Sequence, residues 1–357
     1  AQCAERQRLI VCMSAPINAR IVYLIQFPNT EPASASSTSS GRKRLQPPLT
    51  KQAPYFLDLD IELTELSDND VIIDGQPVAV RRQVIDGQVV SVECAYTLAD
   101  VLSPASNARK QIIQTKLHDT TLAEHDYRGA FVEEYTIVCL SQIGVSSDEF
   151  VQANRVSLAS LLRSLPAFAS ESEVDQVLVS RARYTERDLT VVDWEGALII
   201  DDEQDFQSDI ELLKIGNYEL LRYRLLDRAI DRNLQTVRDE LENKRRLGFF
   251  SNVLRQSLRQ RLELLLNFEK TEQGLLLIGD WYTAQLYRLI VDEFYIDEWK
   301  AAVKGKLDQL ESITDIIHEN FTLSWEQFLD LVQVIGWLVL LIGYFVLFYF
   351  DVASALK

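Results

Sequence analysis

The C-terminal stretch constrains this chain more than any other part of it. Residues 331–350 read LVQVIGWLVLLIGYFVLFYF, twenty positions with no charge and a single side-chain amide, Gln333. At a rise of about 1.5 Å per residue, a helix of this length matches a hydrocarbon layer roughly 30 Å thick. Asp330 and Asp351 bracket the run, Trp337 lies within it, and Tyr344 and Tyr349 fall toward its far end, where aromatic rings favour the interface. Core helices of soluble proteins seldom carry more than about 14 uncharged positions in a row. The run predicts one transmembrane helix over 326–351 with a short tail at 352–357.

The opening residues AQCAERQRLIVC lack the long apolar core and small-residue cleavage site of a signal peptide. Met13 is the sole methionine, and the native start is expected there, with 1–18 a leader or disordered. A C-terminal span without an export signal predicts a tail-anchored, single-pass membrane protein with the bulk of the chain cytoplasmic. Lys357 in the tail, against no Lys or Arg in 311–330, points the other way by the positive-inside rule. The missing export signal is given the greater weight.

Over the whole chain, 47% apolar and 25% charged residues exclude a chain disordered throughout. Lys and Arg total 36 against 53 acids, a net charge of −17 that repels phosphate backbones, so no nucleic-acid partner is expected. Residues 19–28, ARIVYLIQFP, read as a buried strand. Residues 29–54 are rich in Ser, Pro and small residues and read as a flexible loop whose Arg42, Lys43 and Arg44 are a solvated run. In FLDLDIELTEL the period becomes two, with Leu57, Leu59, Ile61 and Leu63 on one face. Asp74-Gly75 and Asp86-Gly87 sit between β-branched runs and predict tight hairpins of an antiparallel meander. A helix is expected over 99–116, a strand over 131–141, and a helix capped by Ser147 that stops before Pro166; strands return over 174–200. From 201 the spacing is helical throughout, in segments 208–246, 250–270, 281–323 and 326–350. The reading is an α+β fold: a head over 19–200 built on an antiparallel β-meander with helices, a long-helix or coiled-coil stalk over 201–325, and the transmembrane helix.

Few constellations carry chemistry. His118 and His125, with Asp119, Glu124 and Asp126 nearby, lack a matching Cys or second acidic pair at ligand spacing. Asp193, Glu195, Asp201 and Asp202 offer oxygen ligands for a divalent metal, but the calcium-loop glycine and terminal glutamate are missing, and a hairpin turn with a helix cap is the preferred reading. Cys3, Cys12, Cys94 and Cys139 have no close-pair spacing, and the phosphate-loop and nucleophile-elbow patterns are absent from the sequence. Arg222, Arg224, Asp227, Arg228 and Asp231 form the densest charged set on one helix and predict a partly buried network. Val303, Leu307, Leu310, Ile317 and Phe321 follow coiled-coil spacing, with Thr314 at a polar core position, and predict self-association.

The segment EEYTIVCL at 133–140 and the run LIIDDEQDFQSDIELLKIGNYELLRYRLLDRAIDRNL at 198–234, followed by the terminal span, resemble the "required for meiotic nuclear division" family of membrane-anchored proteins. Asp201, Tyr218, Leu221, Arg228 and Leu-Asp-Arg at 226–228 are the nearest equivalents of its features, while its aromatic pair after the aspartate is absent. The resemblance implies scaffolding or tethering without known catalysis. The topology is also similar to CorA-type magnesium channels, but those need two spans and a Gly-Met-Asn signature, and Met13 is the only methionine here.

These readings combine into one expectation: a non-enzymatic, membrane-anchored, homo-oligomeric scaffold or tether with no cofactor, whose head binds a protein that the sequence does not identify. The alternative is a divalent-metal-dependent enzyme or ligand sensor using Asp193, Glu195, Asp201 and Asp202.

Overall fold

The computed structural model describes residues 16–30, 63–66, 68–166, 168, 170–243 and 281–355. The expected leader, the basic run at 42–44, Leu57–Ile61 and the helix at 250–270 lie outside the described residues. Two compact units are present. One comprises residues up to Leu226 with Phe268–Ala301, the other Asp227–Asn267 with Ala302–Lys357.

The first unit is a mixed α+β structure built on one sheet. Its strands are β1 (Ala19–Pro28), β2 (Leu63–Glu65), β3 (Asn69–Ile73), β4 (Gln76–Ile85), β5 (Val89–Leu98), β6 (Glu133–Leu140), β7 (Arg181–Ala182), β8 (Leu189–Val192) and β9 (Gly196–Ile200). The order across the sheet is β2-β4-β5-β1-β6-β9-β8-β7, with β3 also on β4. The ladders are antiparallel except β6–β9. That parallel pair needs a long crossover, and the crossover carries three short helices: α2 (Ser147–Ala153), α3 (Arg155–Leu162) and α4 (Glu171–Val177). β1 is central, pairing with β5 from Ala19↔Leu98 to Pro28↔Val89 and with β6 from Ala19↔Leu140. Covered on both faces, it reads as a near-continuous apolar run.

Both Asp-Gly pairs adopt the positive φ that tight hairpins require: 53° and 75° at Asp74-Gly75, 50° and 67° at Asp86-Gly87. On one face, Ile21, Tyr23 and Ile25 join Val92, Cys94 and Val138 in a core closed by Ile113 and Leu117 of α1 (Pro104–Glu124) and by α2–α4. On the other lie the first turns of α5 (Gln207–Asn243), and α6 (Trp281–Glu293) packs on β7 and β8. Gln26 Nε2 donates to the Lys214 carbonyl at 3.1 Å, and Lys214 Nζ meets Glu93 at 2.9 Å and Glu211 at 3.0 Å. Burial alone would push the Lys214 ammonium down, but Glu211 and Glu93 hold it above its ordinary value.

Four helix readings are corrected. The first helix starts later and runs longer than 99–116; Ser103 caps it and Pro104 fits its first turn. The cap of α2 is Ser146, which accepts from the Glu149 N–H, while Ser147 is a buried first-turn residue. The expected single helix before Pro166 is broken at Asn154 into α2 and α3. Residues 174–177, expected as strand, belong to α4, whose Val174 and Val177 are buried three positions apart.

The first unit continues beyond the head boundary expected at residue 200, because the first turns of α5 bury Ile210, Leu213, Tyr218 and Leu221. In the second unit, α7 (Ile296–Ala355) and the last turns of α5 are joined by Lys306 Nζ, which meets Asp227 at 2.6 Å and Asp231 at 2.8 Å. Of the residues expected to self-associate, Val303, Leu307 and Leu310 are buried within the single chain. The side chains of Thr314, Ile317 and Phe321 lie outside the described set. Further along α7, Leu329–Leu347 is the one stretch among the described residues long and apolar enough to cross a membrane.

Candidate functional site

The ladder between β6 and β9 begins at Thr136↔Gly196, three residues after β6 itself starts. Residues 133–135 of β6 therefore project past the end of β9. Gly196 fixes this register: a Cβ there would stand 2.8 Å from the Thr136 carbonyl and 3.3 Å from that of Leu162. The step leaves a cleft of about 440 Å³, a volume typical of small-ligand sites. It is walled by Gln111, Gln114, Thr115 and His118 of α1, by Tyr23, Glu133, Glu134 and Thr136 of the sheet, by Trp194 and Glu195 before β9, and by Asn217 and Leu220 of α5.

The upper wall is fixed by helix-end chemistry. On α1, Asn107 Nδ2 donates to the Ser160 carbonyl at 3.0 Å, Lys110 to that of Leu161 and Gln111 to that of Ser164. These three side chains, spaced over about one turn, satisfy carbonyls at and just beyond the end of α3 that have no intrahelical partner, and the Lys110 cation complements the negative end of the helix dipole. Lys110 is fully buried, and burial pushes its ammonium down to about 8.

Inside the cleft, Glu134 accepts from the Tyr23 hydroxyl and meets His118 Nε2 at 3.2 Å; His118 Nδ1 stands 3.2 Å from Asp119. Burial, reinforced by the Glu134 charge, pushes the Tyr23 phenol far above its usual range. Gln114 Nε2 donates to Thr136 Oγ1 at 2.9 Å. Burial raises the Glu133 carboxyl despite the Arg224 guanidinium paired with it. Burial likewise raises Glu195, against the nearby Arg163 and Lys110 cations. Asn217 is 3% exposed, and its Nδ2 finds no acceptor among the described residues.

The acidic residues named from the sequence do not converge. Asp193 is buried and held in a two-point fork by Arg163, at 3.0 Å through Nε and 2.7 Å through Nη2. Glu195 follows it at the mouth of the cleft. Asp201 and Asp202 lie beyond the far end of β9, about 17 Å along the strand at ~3.3 Å per residue, where Asp201 accepts from the Glu203 N–H at 2.7 Å. Among the described residues no three His, Cys, Asp or Glu side chains form a metal-binding group. His118 faces the cleft, whereas His125 ends α1 and packs edge-on against Phe27.

The expected charged network resolves into separate contacts. Arg222 meets Asp86 at 3.4 Å and the Tyr218 hydroxyl at 3.1 Å, Arg224 pairs with Glu133, Asp227 and Asp231 share Lys306, and Arg228 is exposed. Tyr23, Gln114 and Asn217 were not visible as site residues in the sequence. Each looks like core or helix filler until the folded chain brings it to the step.

The model of the family described as "Uncharacterized protein MJ0711, N-terminal domain" matches residues 19–207, from the first residue of β1 to the first of α5. Uncharacterized protein MJ0711 of Methanocaldococcus jannaschii is 28% identical over 195 residues, covering 54% of this chain and 59% of that protein. The chain thus spans about three-fifths of the length of the curated relative it matches. No solved structure matches. The family match takes in the whole sheet and every cleft residue except Asn217 and Leu220. With more than half of its residues matched, the chain belongs to the family of the MJ0711 N-terminal domain.

Proposed function

We propose that this protein is a single-span membrane protein whose α+β unit is a docking head, tethering a partner at the bilayer rather than transforming a substrate. The observation that carries the reading is the helix Leu329–Leu347. Leu331, Trp337, Leu340, Leu341, Phe345 and Leu347 on it are all more than half exposed. At about 1.5–3 kcal/mol per large apolar side chain, leaving such a stretch in water costs on the order of 10 kcal/mol or more, which lipid removes. The resemblance carried by residues 133–140 and 198–234 supports the tethering part. So does the state of the buried acids: Asp193, Glu93 and the Asp86 carboxylate are each engaged by Arg163, Lys214 or Arg222 in contacts that fix the fold.

Membrane fractionation tests the anchor. The full chain is expected to stay with the membrane through high salt and alkaline wash, because salt does not weaken apolar transfer. Release by salt alone overturns the reading. Proximity labelling tests the tether. With the label on the α+β unit and residues 329–347 exchanged for an unrelated span, the labelled neighbours should stay the same. If the neighbours follow the span, the head does not choose the partner.

A further inference from the structure

α6 is held to its unit by contacts unlike those of the main core. None of its residues belongs to the core that the sheet shares with α1–α4. It packs on β7 and β8, and on α5, where Ile290 and Phe294 just past its end lie against Gly216. Two tyrosines anchor it to buried carboxyls of α5: Tyr282 donates to Asp209 at 2.7 Å, and Tyr287 to Glu219 at 2.7 Å. Asp209 also accepts from Thr190 at 2.6 Å, whereas Tyr287 is the sole donor to the Glu219 carboxyl among the described residues. Two cations face Glu219 without forming an ion pair with it. They are Arg222 of its own helix, which reaches Asp86 and Tyr218 instead, and Lys300 near the start of α7. Tyr223 of α5 and Asp297 of α7 are the other titratable groups that act on Tyr287. A carboxyl 3% exposed with no cation in contact has lost its water without gaining a partner charge, so burial favours its neutral form.

We propose that Glu219 is a pH-operated latch: in its neutral form it keeps α6 docked on α5, and its ionisation releases α6 while the sheet and α1–α4 stay folded. Burial raises this carboxyl to about 8, so the docked form keeps its proton over a range in which a hydrated carboxyl, near 4.5, does not. Between those values opening sheds one proton, and each pH unit favours the open form about tenfold. The docked form is therefore most secure near the lower value and least secure above the upper one. Release stays local because α6 takes no part in the main core, and peripheral elements open at lower free energy than core strands. A helix of 13 residues cut off from its packing is marginal in water, so release also frays it. In the chain, α6 directly precedes α7, which carries the apolar stretch Leu329–Leu347. This inference does not depend on the tethering role.

Hydrogen–deuterium exchange of the detergent-solubilised full chain tests it, read by mass spectrometry from about pH 5 to about pH 9 and corrected for the intrinsic pH dependence of amide exchange. Protection of α6 should fall about tenfold per pH unit up to about pH 8 and then level off, while β1, β5 and β6 keep theirs. Glu219→Gln stays neutral and keeps an acceptor for Tyr287, so its α6 should remain protected with no such slope. Tyr287→Phe removes the hydrogen bond but leaves the buried carboxyl, so α6 should be less protected overall and the slope should remain. Should Glu219→Gln fail to fold, the native contrast between α6 and the sheet, together with the slope in Tyr287→Phe, decides the matter. The proposal is overturned by α6 protection that ignores pH, by loss of protection in the sheet together with α6, by an undiminished slope in folded Glu219→Gln, or by a slope that vanishes in Tyr287→Phe.

Discussion

Asp86 stands at φ 50° in the turn between β4 and β5, a backbone state that Asp tolerates better than most residues, and its carboxylate accepts from the Tyr218 hydroxyl at 2.6 Å. Arg222 approaches the same oxygen at 3.4 Å, and both partners of that pair are nearly enclosed. Asp86→Asn keeps the turn chemistry but removes the counter-charge facing Arg222. It is expected to cost about 3 kcal/mol, read as a lower thermal midpoint. Asp74→Asn, the same change in the sister turn where Lys116 and the carboxylate are half exposed, should barely move the midpoint. The turn was legible as Asp-Gly; its partners, 132 and 136 positions away, were not, because nothing local marks which hairpin a distant helix will meet. Glu219 gives the pH signature. It is 3% exposed and accepts from Tyr287 at 2.7 Å; burial raises its carboxyl to about 8, although Tyr287, Arg222 and Lys300 pull the other way. The native state therefore holds this proton more tightly than the unfolded chain, whose value is near 4.5. Its contribution is fully present below that value and is lost as pH climbs through about 8. Glu219→Gln should flatten the decline in thermal midpoint between these pH values; an unchanged slope would show that this carboxyl is not the group responsible.

Among the elements, the strands were easier to read than the short helices. β1 is a near-continuous apolar run, and both hairpins carry turn residues at their tips, so period and punctuation agree. In α4 the valines of EVDQV are β-branched and suit a strand, yet Ser170 accepts from the Glu173 N–H at 3.3 Å and starts a helix whose buried valines sit at i and i+3. Over so few residues the propensity of two valines is overridden by the cap and the packing. Two helical glycines test the packing directly. In α5, a Cβ on Gly216 would lie 2.3 Å from Ile290 Cγ2 and 3.2 Å from the Phe294 ring, both fully buried. Gly216→Ala should thus be destabilising by about 1–3 kcal/mol despite its better helix propensity. In α7, Gly305 has nothing within 4 Å of such a Cβ, and Gly305→Ala should stabilise by about 0.5–1 kcal/mol. The same change should move the thermal midpoint in opposite directions. Leu310 is fully buried in the second unit, near the ion pairs that Lys306 makes with Asp227 and Asp231. Leu310→Asp should accordingly lower the melting temperature and leave the detergent-solubilised mass unchanged. A fall in mass with an unchanged melting temperature would show instead the intermolecular seam read from the heptad spacing.

At the scale of the whole molecule, the feature plainest in the sequence is the one least woven into the fold. Uncharged length alone marks the C-terminal span, because a bilayer selects on length and polarity. The cleft needed the opposite kind of information: where one strand stops relative to its neighbour, which no segment encodes by itself. That contrast yields a prediction about the entire chain. None of Leu329–Leu347 is buried, whereas the sheet, α1–α4, α6 and the start of α5 form a unit with its own core. Burial is what links a segment to stability, so a segment that buries nothing should contribute almost nothing to the folding of that unit. Removing residues 328–357 is then expected to change where the protein resides without changing how it folds. The truncated chain should leave the membrane fraction and should stay dispersed without detergent, helped by an excess of acids over bases that keeps copies apart. Its circular-dichroism melting transition should match that of the full chain in detergent to within about 2 °C, less than a 1 kcal/mol change would produce in a unit of this size. A larger fall, or aggregation of the truncated chain, would mean that the terminal helix covers apolar surface of the head and is part of its core.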